Sequence, residues 1–397
     1  MRRLAVLALL LAACLQAASS NVLLGPSARI SLLTCASGQE IWTHYGHTAI
    51  RVEDPDRHLD LCFNYGLFRF DTPNFIGRFI SGQTDYMLGY CRSASFIEEY
   101  RQEQRSITQQ TLNLSPQERQ ALWQALQENA KKENRTYRYN FFYDNCATRA
   151  RRIIENNIDG QVRYDSVVLY PSLRASLKHY TATHPWADFG ISLLIASEAD
   201  RPAKFEALLY APGEMQIAFQ TAVIQKGDSV RPLVADCHQV LDFQGSETAS
   251  SLNENYPKNE VFDIVMLLSA AALALNLVLI AWESRRRKRL YPADILLYAL
   301  AGLAGIVLVY LALFSEHPAV HCNWLILWLH PLQLLYALAL CIPAVRRQKW
   351  TAVYPKINSW LCLVMLIGAI AAPQAIHPAI WPLVAIFVLR QLLLKTR

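Results

Sequence analysis

Cys146 and His47 are the residue types that together make an activated nucleophile. A thiol attacks poorly until it becomes a thiolate, which a helix N-terminus favours and a neighbouring imidazole can generate by taking the proton. Cys146 lies in Asp144-Asn145-Cys146-Ala147-Thr148-Arg149, and His47 lies in Tyr45-Gly46-His47-Thr48-Ala49-Ile50-Arg51-Val52. A third polar group must orient the imidazole. Asn64 is the natural choice and Asp60 a second possibility. Backbone N–H groups beside Cys146 would be available to an oxyanion. One Cys and one His in a domain are more often structural, a buried thiol behaving as a small hydrophobe. Spacing alone therefore serves either reading. The chain has no Gly-x-Ser-x-Gly segment, which argues against a serine-hydrolase elbow.

These residues need elements to carry them. Alternation predicts strands over 47–53 and 59–65, joined by the turn Asp54-Pro55-Asp56. His47 then begins one strand and Asn64 sits on its neighbour. Ser115 followed by Pro116 reads as an N-cap and first helical residue, with the helix running to about Glu128. Alternating aromatic and polar residues over 137–143 predict another strand, and Ala147–Asn156 reads as a helix with Cys146 at its start. No internal repeat or low-complexity tract is present.

The 397 residues are 53% hydrophobic and 18% charged, too apolar for a disordered chain and too long for a disulfide scaffold. The formal charge is +6, but its placement excludes a nucleic-acid footprint. From residue 262 onward there are 12 Lys+Arg against 4 Asp+Glu, and residues 1–261 hold the other 26 and 28. The basic excess belongs to the apolar third, as in a membrane domain with basic cytoplasmic loops. Uncharged runs suggest five spans, at about 262–282, 293–314, 324–342, 357–372 and 376–394, the last two separated by a turn near Pro373–Pro378. Five spans put the basic loops 285–289 and 346–349 and the tail Arg390/Lys395/Arg397 on the cytoplasmic side. At the other end, Arg2 and Arg3, the apolar run 4–13 and small residues to Ser20 have the form of a signal peptide, 1–19. Leu11-Ala12-Ala13-Cys14 also fits a lipobox, so cleavage near Ser19 and lipidation of Cys14 both stand. Residues 20–245 then form an exported α+β domain and 246–260 a polar linker, followed by an all-α membrane domain, 261–397.

The stretch from about Ile30 to Ile154 resembles the N-terminal periplasmic domain of the Lnb family, the Bacteroidota lipoprotein N-acyltransferases. The matching pieces are Tyr-Gly-His-Thr-Ala-Ile-Arg-Val (45–52), Phe-Asn-Tyr-Gly (63–66), Asp-Tyr-Met-Leu (85–88) and Tyr-Arg-Tyr-Asn-Phe-Phe-Tyr-Asp-Asn-Cys-Ala-Thr-Arg (137–149). The following spans, with Glu316-His317-Pro318 and Asn323 in an exported loop, are similar to the same family. More distantly, the order His, polar residue, Asn-Cys resembles circularly permuted papain-like acyltransferases. The resemblance implies a permuted papain-like fold with Cys146 as nucleophile, His47 as base and Asn64 as orienting group, Asn64 replacing the His often found at that place. It implies a phospholipid acyl donor and a diacylglyceryl-cysteine lipoprotein acceptor at the outer face of the inner membrane, with no cofactor and no nucleic acid.

Other readings remain beside this one. The same dyad would serve a papain-like cell-wall peptidase or amidase with water as acceptor, and a membrane-anchored binding protein with a dead site is a third class. Tyr45, Tyr65, Asp144 and Arg149 are candidate substrate contacts, although aromatic packing and helix-start ion pairing explain them equally well. His317 and His321, with Cys322 and His377, have metal-ligand types but no fourth ligand or supporting shell can be named, and no metal is expected. Cys35, Cys62, Cys91 and Cys237 are exported, so disulfides are permitted, with pairing unreadable from sequence.

Overall fold

Strand alternation and helix caps divide the chain into a mixed sheet-and-helix part followed by a helical part. The computed structural model describes residues 23–38, 40, 43–68, 73–74, 77–78, 81–165, 170–243, 263–371 and 374–393. The signal-peptide reading, Cys14 and the linker 246–260 lie outside the described residues.

Seven antiparallel strands form the main sheet in the order β10-β5-β1-β2-β3-β4-β6. They are β1 (Arg29–Cys35), β2 (His47–Asp54), β3 (Leu59–Phe68), β4 (Asp85–Arg92), β5 (Ile107–Leu112), β6 (Thr136–Arg138) and β10 (Val234–Leu241). A small second sheet joins β7 (Gln161–Arg163), β8 (Val223–Lys226) and β9 (Ser229–Pro232). Ile30, Leu32, Ile50, Val52, Phe63 and Leu88 from the main sheet pack with Leu122, Trp123, Ala147, Ala150, Ile154, Met215 and Phe219 from the helices. Burial of such side chains contributes roughly 1.5–3 kcal/mol each, so this face fixes the register.

The longer helices of this part are α1 (Ser93–Gln102), α2 (Pro116–Ala130), α3 (Cys146–Glu155), α4 (Leu173–Thr181), α5 (Pro185–Leu194) and α6 (Pro212–Thr221). Ser115 caps α2 with a reciprocal box: its hydroxyl accepts from Glu118 N–H, and the Glu118 carboxylate accepts from Ser115 N–H. The alternating segment 137–143 is a strand only as far as Arg138. Asn140 Oδ1 accepts from the N–H groups of Phe142 and Tyr143, 3.2 Å each, folding the chain into a turn closed by the Asn140–Asp144 bridge. Local capping by an Asn side chain overrides the period-2 pattern there.

The membrane part contains α7 (Ile264–Arg286), α8 (Tyr291–Phe314), α9 (Leu332–Cys341), α10 (Trp350–Ala371) and α11 (Ile380–Leu393). Three of these, α7, α8 and α10, are long and apolar enough to cross a bilayer. The segment read as one span over 324–342 is broken instead. Pro318–Leu327 and α9 meet at 41°. Pro331 has no N–H to donate, and its ring disfavours continuation of the preceding turn. The helix expected over 357–372 begins earlier, at Trp350, and takes in Pro355 and Lys356. The last apolar helix has 14 described residues. Gly302 and Gly305 of α8 let the backbone of residues 330–334 approach where any Cβ would collide with it. A buried network ties α7, α8 and α11 together: Arg390 Nε donates to Asp294 at 2.7 Å and its NH2 to Glu283 at 3.1 Å, while Arg289 Nε donates to the second Asp294 oxygen at 2.7 Å. Buried charges at these helix ends are tolerated because each has a partner.

Candidate active site

Gly46, at φ +73°, turns the chain into β2, so His47 is the first residue of that strand. On β3, Asn64 lies directly opposite Ala49. Residues 47 and 49 share a face of a strand, and directly opposed residues share a face across strands. Asn64 is thus the diagonal neighbour of His47. Its Oδ1 lies 2.6 Å from His47 Nε2. With an amide oxygen as partner, Nε2 carries a proton and donates it, which leaves Nδ1 as the ring nitrogen able to exchange a proton with the neighbouring Cys146 thiol. Asp60 is occupied elsewhere: Arg51 Nε and NH2 donate to its two carboxylate oxygens at 2.8 Å each.

Cys146 is the first residue of α3, and Asn145 is the N-cap. Asn145 Oδ1 accepts from Thr148 N–H at 2.9 Å, and Thr148 Oγ1 accepts from Asn145 N–H at 2.8 Å. Asn145 Nδ2 donates to the carbonyls of Phe141 and Tyr210, both at 2.8 Å. The cap therefore anchors the first turn to two separate loops. Burial pushes the Cys146 thiol up, but the His47 charge and hydrogen bond, with the backbone N–H groups of Thr48 and Ala147, reverse this, and its pKa is lowered. Burial likewise pushes His47 down. The thiolate and the Asn64 hydrogen bond reverse that too, and its pKa is raised. Opposite shifts of two neighbours favour a thiolate–imidazolium pair.

Gly66 closes the site from β3. Its φ is +100°, and a Cβ built there would lie 3.5 Å from His47 Cε1 and 4.0 Å from Cys146 Cβ. It sits in the register shift between Asn64 and Leu67, a bulge that lets the strand pass behind the pair. Tyr45 packs its ring on Phe141 (4.8 Å between centroids) and Tyr180 (5.5 Å), joining an apolar cluster with Phe142, Leu177 and Tyr210. Behind it Glu214 is buried, accepting from the Tyr180 hydroxyl, and burial pushes its carboxyl up to about 7.

The remaining sequence candidates lie in different settings. Tyr65 is in the core, its hydroxyl donating to Asn129 at 2.6 Å. Arg149 donates twice to Asp144, at 2.9 and 2.7 Å, Arg152 donates to the same carboxylate at 2.7 Å, and the Arg149 guanidinium lies 3.7 Å from the Tyr137 ring centroid. These groups brace the start of α3. His317, His321 and His377 do not converge. His317 is packed at Gly82, His321 Nε2 lies 2.8 Å from Ser315 O, and His377 Nε2 lies 3.3 Å from Asp188. Among the described residues no three His, Cys, Asp or Glu side chains are grouped to hold a cation. All eight described cysteines are unbridged.

Backbone N–H groups beside Cys146 were expected at the site, whereas Asn145, Gly66 and the Thr48 N–H escaped the sequence as site components. Asn immediately before a helix is a cap signal that was readable, and Gly66 within a strand is a bulge signal. Backbone donors carry no residue-type signature at all.

Two family models match the chain. The Lnb N-terminal periplasmic domain matches residues 21–180, and the Lnb transmembrane domain matches residues 260–396. No curated protein and no solved structure matches.

Proposed function

The chain belongs to the Lnb family, and from that premise we propose that it moves an acyl chain from a membrane phospholipid to the N-terminal amine of a diacylglyceryl-cysteine lipoprotein through a thioester on Cys146. The family makes it a membrane protein of the lipoprotein N-acyltransferase type, with its N-terminal domain in the periplasm. The observation that carries the finer reading is the His47 imidazole held between Asn64 and Cys146.

In the first half-reaction the Cys146 thiolate attacks the ester carbonyl of the donor. Charge develops on the carbonyl oxygen at the N-terminal turn of α3, where the partial positive charge of the helix end favours it. The C–O bond breaks, the lysophospholipid alkoxide takes the proton from His47, and a thioester remains. In the second half-reaction the neutral α-amine of the lipoprotein attacks the thioester. His47 accepts the amine proton, the C–S bond breaks, and the amide product leaves with the Cys146–His47 pair restored. Asn64 keeps the imidazole turned toward sulfur through both steps. Five spans, counting the bent pair and the short last helix, would hold this site at headgroup height and leave the C-terminus in the cytoplasm. That arrangement suits a donor and an acceptor whose acyl chains are both buried in lipid.

The test is expression in a host lacking apolipoprotein N-acyltransferase, with mass spectrometry of a reporter lipoprotein's N-terminus. The intact chain should add one acyl group, and Cys146→Ala should add none. An unmodified reporter with altered cell-wall peptides would instead support a papain-like wall hydrolase.

A further inference from the structure

Helix α5, Pro185-Trp186-Ala187-Asp188-Phe189-Gly190-Ile191-Ser192-Leu193-Leu194, carries one charged residue in ten. Residues 186, 190 and 194 fall four apart and form one stripe along the helix. On a water-facing domain such a stripe is polar. Here Trp186 is 61% exposed and Leu194 38% exposed, and a Cβ added at Gly190 would meet nothing within 4 Å. An apolar stripe left open in this way needs a partner other than water.

The other faces of α5 show what that partner is. Phe189 and Leu193 pack against the cluster built by Tyr298, Leu325, Trp328, Tyr336 and Phe387 of the membrane helices. Ile191 and Ile195 pack against the cluster that contains Tyr45. Both ends of the helix are held by loops that join membrane helices. His377 lies 3.3 Å from Asp188, the helix's one charge, and Asn323 Nδ2 donates to the Leu193 carbonyl at 2.8 Å. His377 is also 3.8 Å from Asp263, the cap of α7. The helix therefore lies at the periplasmic-domain end of the spans. Apolar residues of α7, among them Leu267 and Leu268, are exposed just beyond that cap.

We infer that α5 is an interfacial helix whose Trp186–Gly190–Leu194 stripe rests in the outer-leaflet lipid, making a continuous apolar path from bilayer to the Tyr45 wall of the active site. Trp is the side chain best suited to the headgroup boundary, and an apolar helix lying along that boundary buries one face in lipid. The lipid contact stands on packing alone, and its purpose, leading a donor acyl chain toward Cys146, rests on the acyltransferase reading.

The experiment places the photoreactive residue benzoylphenylalanine at Trp186, Leu194 or, as a control, Val230, which is 59% exposed on β9. Each full-length variant is irradiated in vesicles of phosphatidylethanolamine and phosphatidylglycerol, with and without Cys146→Ala. Phospholipid adducts at 186 and 194, none at 230, and no change with Cys146→Ala are expected. That pattern would hold even if the acyltransferase reading failed. Lipid labelling at 186 and 194 no greater than at 230, or adducts to a second copy or another protein in place of lipid, would overturn the inference.

Discussion

At the residue scale the account rests on two opposing effects at one sulfur. Burial alone would keep Cys146 protonated, and the paired imidazolium and two backbone donors win over it. The Cys146 pKa is lowered and the His47 pKa raised, so the two move toward each other and the share of thiolate–imidazolium pair grows. In His47→Ala the burial penalty persists while its largest compensation is gone, so the thiol pKa must rise. Iodoacetamide labelling of the Cys146 peptide, followed by mass spectrometry across pH, should show the His47→Ala curve displaced to higher pH and slower at pH 7. Superimposed curves would show that His47 does not activate this sulfur. Removing a positioned base should also lower acyl transfer by about 10²–10⁴-fold. The residue types suggested the pair, and register sets Asn64, not Asp60, beside His47. Ala49 opposite Asn64 puts Asn64 diagonal to His47, while Asp60 lies opposite Glu53 and pairs with Arg51. For Tyr65 the sequence left substrate contact and aromatic packing both open; adjacent strand residues point to opposite faces, and its ring is in the core.

At the element scale the decisive piece is the first turn of α3. Asn145 satisfies a helix N–H through its oxygen, and through its nitrogen the nearby Phe141 carbonyl and the sequence-distant Tyr210 carbonyl. Removing a cap of this kind costs about 0.5–2 kcal/mol, and here two further buried acceptors lose their donor. Asn145→Ala should lower the thermal unfolding temperature of the full chain in detergent and slow Cys146 labelling. Asn145→Asp keeps the acceptor and should recover part of the loss in unfolding temperature. Equal melting of all three proteins would remove Asn145 from the support of the site. The helix start was readable, since Asn before a polar-capped run is a known signal. The early end of β6 was not, because the alternation of 137–143 hides the Asn140 turn. The break at Pro331 was hidden in the same way, as hydropathy averages over it.

At the scale of the whole molecule, the exported and membrane parts are joined by specific bonds. Ser81 Oγ lies 2.7 Å from the Tyr310 hydroxyl, Arg138 NH1 donates to Glu316 at 2.7 Å, and Ala196 N–H donates to Ala319 O at 2.7 Å. Ala319, from a loop between membrane helices, is part of the cluster that holds Tyr45. Charge placement made the membrane third legible, because basic residues gather in its loops. The docking of the two parts was not legible, because it depends on contacts between residues far apart in sequence. This architecture makes sense if the substrate is a lipid and the sulfur carries its acyl chain. The most direct measurement is intact and peptide mass spectrometry of the full chain in phospholipid vesicles without lipoprotein acceptor. The account predicts one added acyl chain on Cys146, released by neutral hydroxylamine and matched by an equal amount of lysophospholipid. Acylation of a lipoprotein acceptor by Cys146→Ala, or turnover in which Cys146 never carries an acyl group, would contradict it.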